Sequence, residues 1–359
     1  MIETPSLVDQ HCHGVLRTEL GLGTFEAYLG RTARPPAPGT TFFDTQTGFA
    51  VRRWCPPLLG LEPHCPPARY LARRRELGVL ESGRRLLRAS GISTYLVDTG
   101  LPGDLTGPAE IASAGAAAAH EIVRLEPLAE QVADTSGSVE ALLANLSEAV
   151  HGAATTAVAF TSVAGVSRGL VQASEPPGPG EVRGAAGRWL ARRPVGGRLT
   201  DPVLLRHLLW VAVGAGRPLQ LHVGAEDPAG LAGFAASTSG LGTDVVLLHG
   251  YPYHRQTAQL TGAFPHVYAD LGSVLGRTGA RAAAVLAELL ELAPFGKLLF
   301  SSGAHALPEL HVVAASVFRG ALSRVLGEWV ADGAWSLTDA QRVATMIASG
   351  NARRVYGLA

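Results

Sequence analysis

Five consecutive residues carry the densest chemistry in the chain: Asp9-Gln10-His11-Cys12-His13. Side chains alternate between the faces of an extended strand, so His11 and His13 project to one side and Cys12 to the other. Two imidazoles side by side suit a divalent metal ion. The same short spacing also fits two ordinary polar residues at a strand end. Two further histidines, His222 in Gln220-Leu221-His222-Val223-Gly224 and His249 in Val246-Leu247-Leu248-His249-Gly250, each end an apolar run and precede a glycine turn. Either alone reads as a hydrogen-bonded structural histidine, whereas four at strand ends point to one metal site. Asp270, in Tyr268-Ala269-Asp270-Leu271-Gly272, ends another such run and would either support a metal ligand or cap a loop. Cys12 and the remaining histidines are expected as core, packing or surface residues.

These groups meet only if the fold gathers strand ends. Eight short apolar or β-branched runs are expected as strands: 7–12, 93–98, 122–126, 157–163, 218–223, 244–249, 267–271 and 297–301. From residue 92 onward they alternate with helical stretches, the pattern of βα units on a parallel sheet. Ser138 and Thr200-Asp201-Pro202 open two helices, Ala280 to Leu292 form a third, Thr338-Asp339-Ala340-Gln341 reads as a capping box and Gly350 as a helix stop. Eight strands close a (β/α)8 barrel, whose chemistry lies at the strand C-termini. An open doubly wound sheet is the alternative, but no G-x-G-x-x-G follows a strand. Two segments break the rhythm. Residues 14–91, Pro-rich and short of helical periodicity, are expected to cap the mouth within a single domain spanning 1–359. Residues 165–199 read as a mobile excursion.

With 359 residues, 47% apolar, and 30 basic against 30 acidic side chains, the chain has a full core and zero net charge. That balance argues against nucleic acid or an acidic membrane as partner and leaves a small-molecule substrate, with a homo-oligomer as the default assembly. Lys297 is the single lysine, so arginine clusters read as coding bias and not as function. Three cysteines without paired short spacing fit a reducing cytoplasm, and neither a leader nor a membrane span is expected.

The histidine pattern on strands 1, 5 and 6 in a (β/α)8 layout resembles the amidohydrolase superfamily. The strings Leu219-Gln220-Leu221-His222, Leu247 to Tyr253, Val267 to Gly272 and Asn351 to Tyr356 are similar to its amidohydrolase-2 branch, and most to FluG-like proteins. Arg53-Trp54-Cys55 and Asp98-Thr99-Gly100 extend the resemblance over nearly the whole chain. It implies His11, His13 and His222 as ligands of a divalent metal, zinc by preference, and His249 as a group orienting substrate or water. The metal would make hydroxide available near neutral pH and polarise a carbonyl. The implied activity is hydrolysis of a C–N or C–O bond in a small carboxylate-bearing molecule, with Arg53, Tyr70, Arg73 and Arg168 as candidate clamps.

Two positions depart from the resembled pattern. Gly303, in Ser301-Ser302-Gly303, stands where a strand-8 aspartate would ligate metal and accept a proton, and Thr161 stands in place of a strand-4 lysine. Three outcomes follow: a hydrolase in which His305, Asp227 or Asp270 replaces the lost carboxylate; a catalytically impaired binding or regulatory protein; or a non-oxidative decarboxylase. On this view Gly303→Asp should strengthen metal binding.

Overall fold

A computed structural model describes residues 2–32, 34–164, 174–224 and 226–359. Strands β1 (Leu7–Cys12), β2 (Ile92–Asp98), β3 (Ala118–Arg124), β4 (Ala159–Ser162), β5 (Leu219–His222), β6 (Val245–Leu248), β7 (Val267–Asp270) and β8 (Leu298–Leu299) lie side by side in chain order. Each neighbouring pair is parallel. The ring closes where Gln10 N–H donates to Phe300 O (3.1 Å), Gly303 N–H to His11 O (3.0 Å) and His13 N–H to Ala304 O (2.8 Å). The architecture is the expected (β/α)8 barrel.

Helices α1 (Leu22–Gly30), α2 (Gln46–Leu58), α3 (Pro67–Leu77) and α4 (Val79–Ala89) join β1 to β2. After β2 comes α5 (Pro108–Gly115), after β3 come α6 (Leu125–Thr135) and α7 (Val139–Ala153), and after β4 come α8 (Pro179–Arg192) and α9 (Pro202–Gly214). Then follow α10 (Ala232–Thr238) before β6, α11 (His254–Ala263) before β7, and α12 (Gly272–Thr278) with α13 (Ala282–Leu292) before β8. The chain ends in α14 (Pro308–Ala331), α15 (Leu337–Thr345) and α16 (Asn351–Tyr356). By length and composition α14 could cross a membrane, at mean hydropathy 1.2, but 61% of that stretch is buried in the fold.

Inward side chains of alternate strand positions, among them Val8, Leu96, Ile122, Ala159, Val246, Leu248 and Leu299, fill the barrel, and Ala352, Val355 and Tyr356 of α16 pack against them. Outside, Phe25, Phe43, Val51, Leu86 and Leu87 from residues 14–91 share one apolar cluster with Leu286, Phe318 and Leu322.

Several expectations need correction. β3 begins earlier and stops at Arg124, because Leu125 and Glu126 open α6, where Pro127 fits a first turn that needs no N–H. Ser336, not Thr338, caps α15, accepting from Asp339 N–H (3.0 Å) and donating to Asp339 Oδ2 (2.8 Å). Gly350 does not stop the chain's last helices; its turn widens over Met346–Gly350 into α16, held by Asn351 Nδ2 on Phe295 O and Leu298 O, and Gly357 (φ 62°) makes the stop. Residues 14–91 contain four helices. Their prolines sit near helix ends: Pro67 opens α3, and the Arg52 carbonyl near Pro56 accepts from His64 N–H instead (2.6 Å). Within 165–199, residues 179–192 are helical, while 165–173, Arg168 among them, lie outside the described residues.

Candidate active site

A register slip between Asp9 and Cys12 shapes β1. It turns Gln10 and His11 both inward: Gln10 meets Gln220 and Tyr356 across the barrel, and Cys12 joins the outer cluster. On β6, Val246 and Leu248 point inward, so alternation would send His249 out. Its left-handed backbone (φ 62°) turns it away from that continuation and beside His11 and His222.

The four imidazoles converge. Ring centroids are 5.1 Å apart for His11–His13 and His11–His222, 5.6 Å for His11–His249 and 5.0 Å for His222–His249. Potential ligand atoms of His11, His222 and His249 lie within 4.8 Å of one another, as do those of His11, His13 and Asp98. His11 therefore belongs to both groups. Burial lowers the pKa of all four histidines, with neighbouring imidazoles adding to the effect on His13, His222 and His249. They are neutral at pH 7, with a lone pair on one nitrogen each.

Hydrogen bonds decide which nitrogen that is. Gln220 Nε2 donates to Gln10 O (2.8 Å) and Tyr356 Oη (2.8 Å), so its Oε1 accepts from His11 Nδ1–H (2.7 Å). His11 Nε2 keeps the lone pair and, like His222 Nε2, is buried without a partner. His13 Nδ1 donates to Asp98 O (3.1 Å). Ser273 Oγ donates to Asp270 Oδ2 (3.1 Å) and so accepts from His249 Nδ1–H (2.5 Å), leaving Nε2 as that ring's free nitrogen. Burial pushes the Asp270 carboxyl up to about 6, although Ser301 Oγ (2.7 Å) and Gly272 N–H (3.1 Å) also donate to it. It is mostly ionised at pH 7. Two orphaned, neutral imidazole nitrogens facing a histidine-lined space are donors that could hold a divalent metal ion.

The proposed substitutes for a strand-8 carboxylate separate. Asp270 lies behind His249, one hydroxyl removed. His305 stands at the rim, its ring 5.8 Å from His13 and 5.6 Å from Tyr28, and joins neither close set of ligand atoms. Asp227 is exposed and accepts from Ala229 N–H (2.9 Å), so it is spent on a cap. At Gly303 (φ 52°) an added Cβ would lie 2.8 Å from Ser273 Cβ and 3.2 Å from His249 Cε1. The glycine thus makes room for the His249–Ser273 contact.

The three suggested clamp residues that lie among the described residues do not gather here. Arg53 stacks over Trp54 (4.5 Å) in a groove of about 490 Å³ that α14 also lines, Tyr70 is buried and donates to Glu309 Oε1 (2.7 Å), and Arg73 is bound to Leu59 O and Glu76. Other residues, not singled out by the sequence pattern, do gather. Asp98 ends β2 as Asp270 ends β7, and the Arg124 guanidinium is paired with it. Arg124 is the β3 neighbour of Thr161, so positive charge is supplied one strand away from the position of the absent lysine. A polar residue two places after an inward apolar one (Leu96 then Asp98, Ile122 then Arg124) was the usable signal.

Residues 140–358 match the family model described as Amidohydrolase. Over 153 residues the chain is 36% identical to protein fluG of Emericella nidulans, a match that spans 40% of this chain and 18% of that protein. A Lactobacillus casei protein described as a metal-dependent hydrolase has the same fold, at TM-score 0.84 and 24% identity over 99% of this chain and 96% of its own. Uronate isomerase from Thermotoga maritima superposes at TM-score 0.63 and 13% identity, over 98% of this chain and 94% of that one. With the family model covering well over half of its length, the chain belongs to the amidohydrolase family.

Proposed function

We propose that the protein is a metal-dependent hydrolase that cleaves a C–N or C–O bond of a small molecule at the barrel mouth. The observation that carries this is the pair of buried, unpartnered Nε2 atoms on His11 and His222 beside the His249–Ser273–Asp270 chain. His11, His13 and His222 would hold the ion, zinc by preference. Such an ion supplies a Lewis acid that polarises a carbonyl and acidifies water.

The remaining work falls to the chain's own side chains. His249 Nε2 takes the proton of an attacking water and returns it to the leaving nitrogen or oxygen. Ser273 holds the ring's Nδ1–H, and Asp270 stabilises the imidazolium through Ser273. Asp98, fixed by Arg124, keeps His13 in orientation. Segment 14–91 acts as the cap: Arg31 Nη2 donates to Gly303 O (3.1 Å), and Tyr28 packs against His305. Three buried unpaired thiols fit a reducing cytoplasm.

A second reading, a binding protein with little turnover, draws on Gly303, because Asp98 is committed to Arg124 and no carboxylate stands at strand 8. Zinc analysis of the purified protein together with hydrolysis of a panel of amides and lactones separates the two. Stoichiometric zinc, lost in His11→Gln and His222→Gln along with turnover, supports the hydrolase. Zinc retention by both variants would remove the proposed ligand set, and zinc without any hydrolysis would favour the binding protein.

A further inference from the structure

Arginines set deep in this fold are paired: Arg74 with Glu309, Arg124 with Asp98, Arg193 with Asp134. Arg31 and Arg277 are not. Among the described residues no carboxylate oxygen lies within 4.0 Å of either guanidinium, and the one side-chain hydrogen bond Arg31 makes is to Gly303 O (3.1 Å). Both side chains are open to solvent, yet burial lowers the pKa of each, that of Arg31 to about 10 with Arg277 as the second cause. Arg277 stands one turn beyond Ser273 on α12, the i, i+4 spacing that shares a helix face, and Ser273 touches His249. Gly303, whose carbonyl Arg31 holds, lies against both Ser273 and His249: a Cβ there would sit 2.8 Å from Ser273 Cβ and 3.2 Å from His249 Cε1, so Arg31 and the Arg277 face of α12 flank His249.

Two guanidinium groups without a carboxylate partner, placed on either side of one imidazole, attract an anion. We propose that Arg31 and Arg277 together hold a carboxylate of the substrate beside His249. This rests on the reading of the barrel mouth as the hydrolytic site and adds to it the residues that select a carboxylate there, which are neither Arg53, Tyr70 nor Arg73. Planar guanidinium forks match a carboxylate in two-point contact. Phosphate sites add backbone N–H cradles, and here four amides around Gly303 are spent: Ser302 N–H on Asp9, Gly303 N–H on His11 O, Ala304 N–H on Ser302 Oγ, Gly272 N–H on Asp270.

The test is calorimetric titration of the full-length protein, with and without added zinc, using malonate, succinate, glutarate and adipate, the neutral diamide of each, and inorganic phosphate. A dicarboxylate should bind and its diamide should not. Arg31→Gln and Arg277→Gln should each weaken that binding about 10-fold or more, as loss of a charge-assisted contact does, while zinc content stays unchanged. Should Arg31→Gln fail to fold, Arg277→Gln, on an open helix face, decides alone. No dicarboxylate bound by the wild type, equal binding in wild type and Arg277→Gln, equal binding of a diamide, or phosphate binding tighter than any dicarboxylate would each overturn the proposal. Dicarboxylate binding lost in the variants of a protein that holds no zinc and hydrolyses nothing would uphold the clamp and sink the hydrolase.

Discussion

The two sides of the barrel mouth solve the problem of placing a reactive group differently. On the β1–β5 side the rings of His11, His13 and His222 come from the strands or the next residue, and their positions follow from β geometry plus one register slip. On the β6–β8 side nothing functional is set by a strand alone. His249 reaches the site through a left-handed residue, Ser273 comes from the helix after β7, and Gly303 contributes by having no side chain. One side places donors, and the other places a hydrogen-bond chain in the volume that a strand-8 carboxylate would need.

If the sides divide labour in this way, damage to them should separate. His11→Gln should abolish stoichiometric zinc and lower turnover by ~100-fold or more, because it removes a proposed ligand held by its own Gln220 bond. Ser273→Ala should leave zinc in place and lower kcat by ~100-fold, the lower range for a compromised general base. Zinc content by mass spectrometry and steady-state kinetics on one active substrate give both readings. Equal zinc loss in the two variants would show that the mouth acts as one unit.

A second break tests the volume argument. Gly303→Asp was expected from sequence to restore a ligand; the packing reverses that expectation. Its Cβ would sit 2.8 Å from Ser273 Cβ at a backbone φ of 52°, so the single variant should lose ~1–3 kcal/mol of unfolding free energy and gain no zinc affinity. Gly303→Asp with Ser273→Gly removes the obstructing side chain and should recover most of that stability. Urea unfolding and chelator competition measure the two quantities. Tighter zinc in the single variant would show that the β7–β8 side yields more easily than its contacts imply.

This asymmetry also explains what the sequence revealed. The barrel was legible because eight runs alternate with helices, and three histidines because they end inward-facing positions. Residues 14–91 were misjudged because Pro56 and Pro67 mask helices whose apolar faces pack on distant partners such as Phe318, a pairing no local period reports. Arg31, 272 residues from Gly303, and Ser273, meaningful only once His249 is turned toward it, were invisible for the same reason. Asp98 stands in the string Asp98-Thr99-Gly100, and its place at the site shows only once β2 is seen to end on it as β7 ends on Asp270.

The smallest expected difference between the sides is in proton linkage. The four site histidines have folded pKa values held down by burial, as do His207, His266 and His305, so below about 6.5, the ordinary imidazole value, these groups bind more protons in the unfolded chain than in the fold. Stability of the zinc-stripped protein should therefore fall as pH drops from 7.5 to 5.5, by up to ~1.4 kcal/mol per pH unit for each proton the fold refuses. Asp270 has the opposite sign. Its folded pKa is raised to about 6 from an unfolded value near 3.9, so between those values the fold binds the extra proton and gains stability as pH falls. One carboxylate offsets only part of these imidazoles, and the net slope stays downward. Thermal melts of wild type and Asp270→Asn across this range isolate the two contributions: the variant should lose stability more steeply below pH 6, where its counterweight is gone. Parallel slopes would mean that Asp270 titrates alike in the folded and unfolded chain, and that its burial behind Ser273 does not carry the cost argued here.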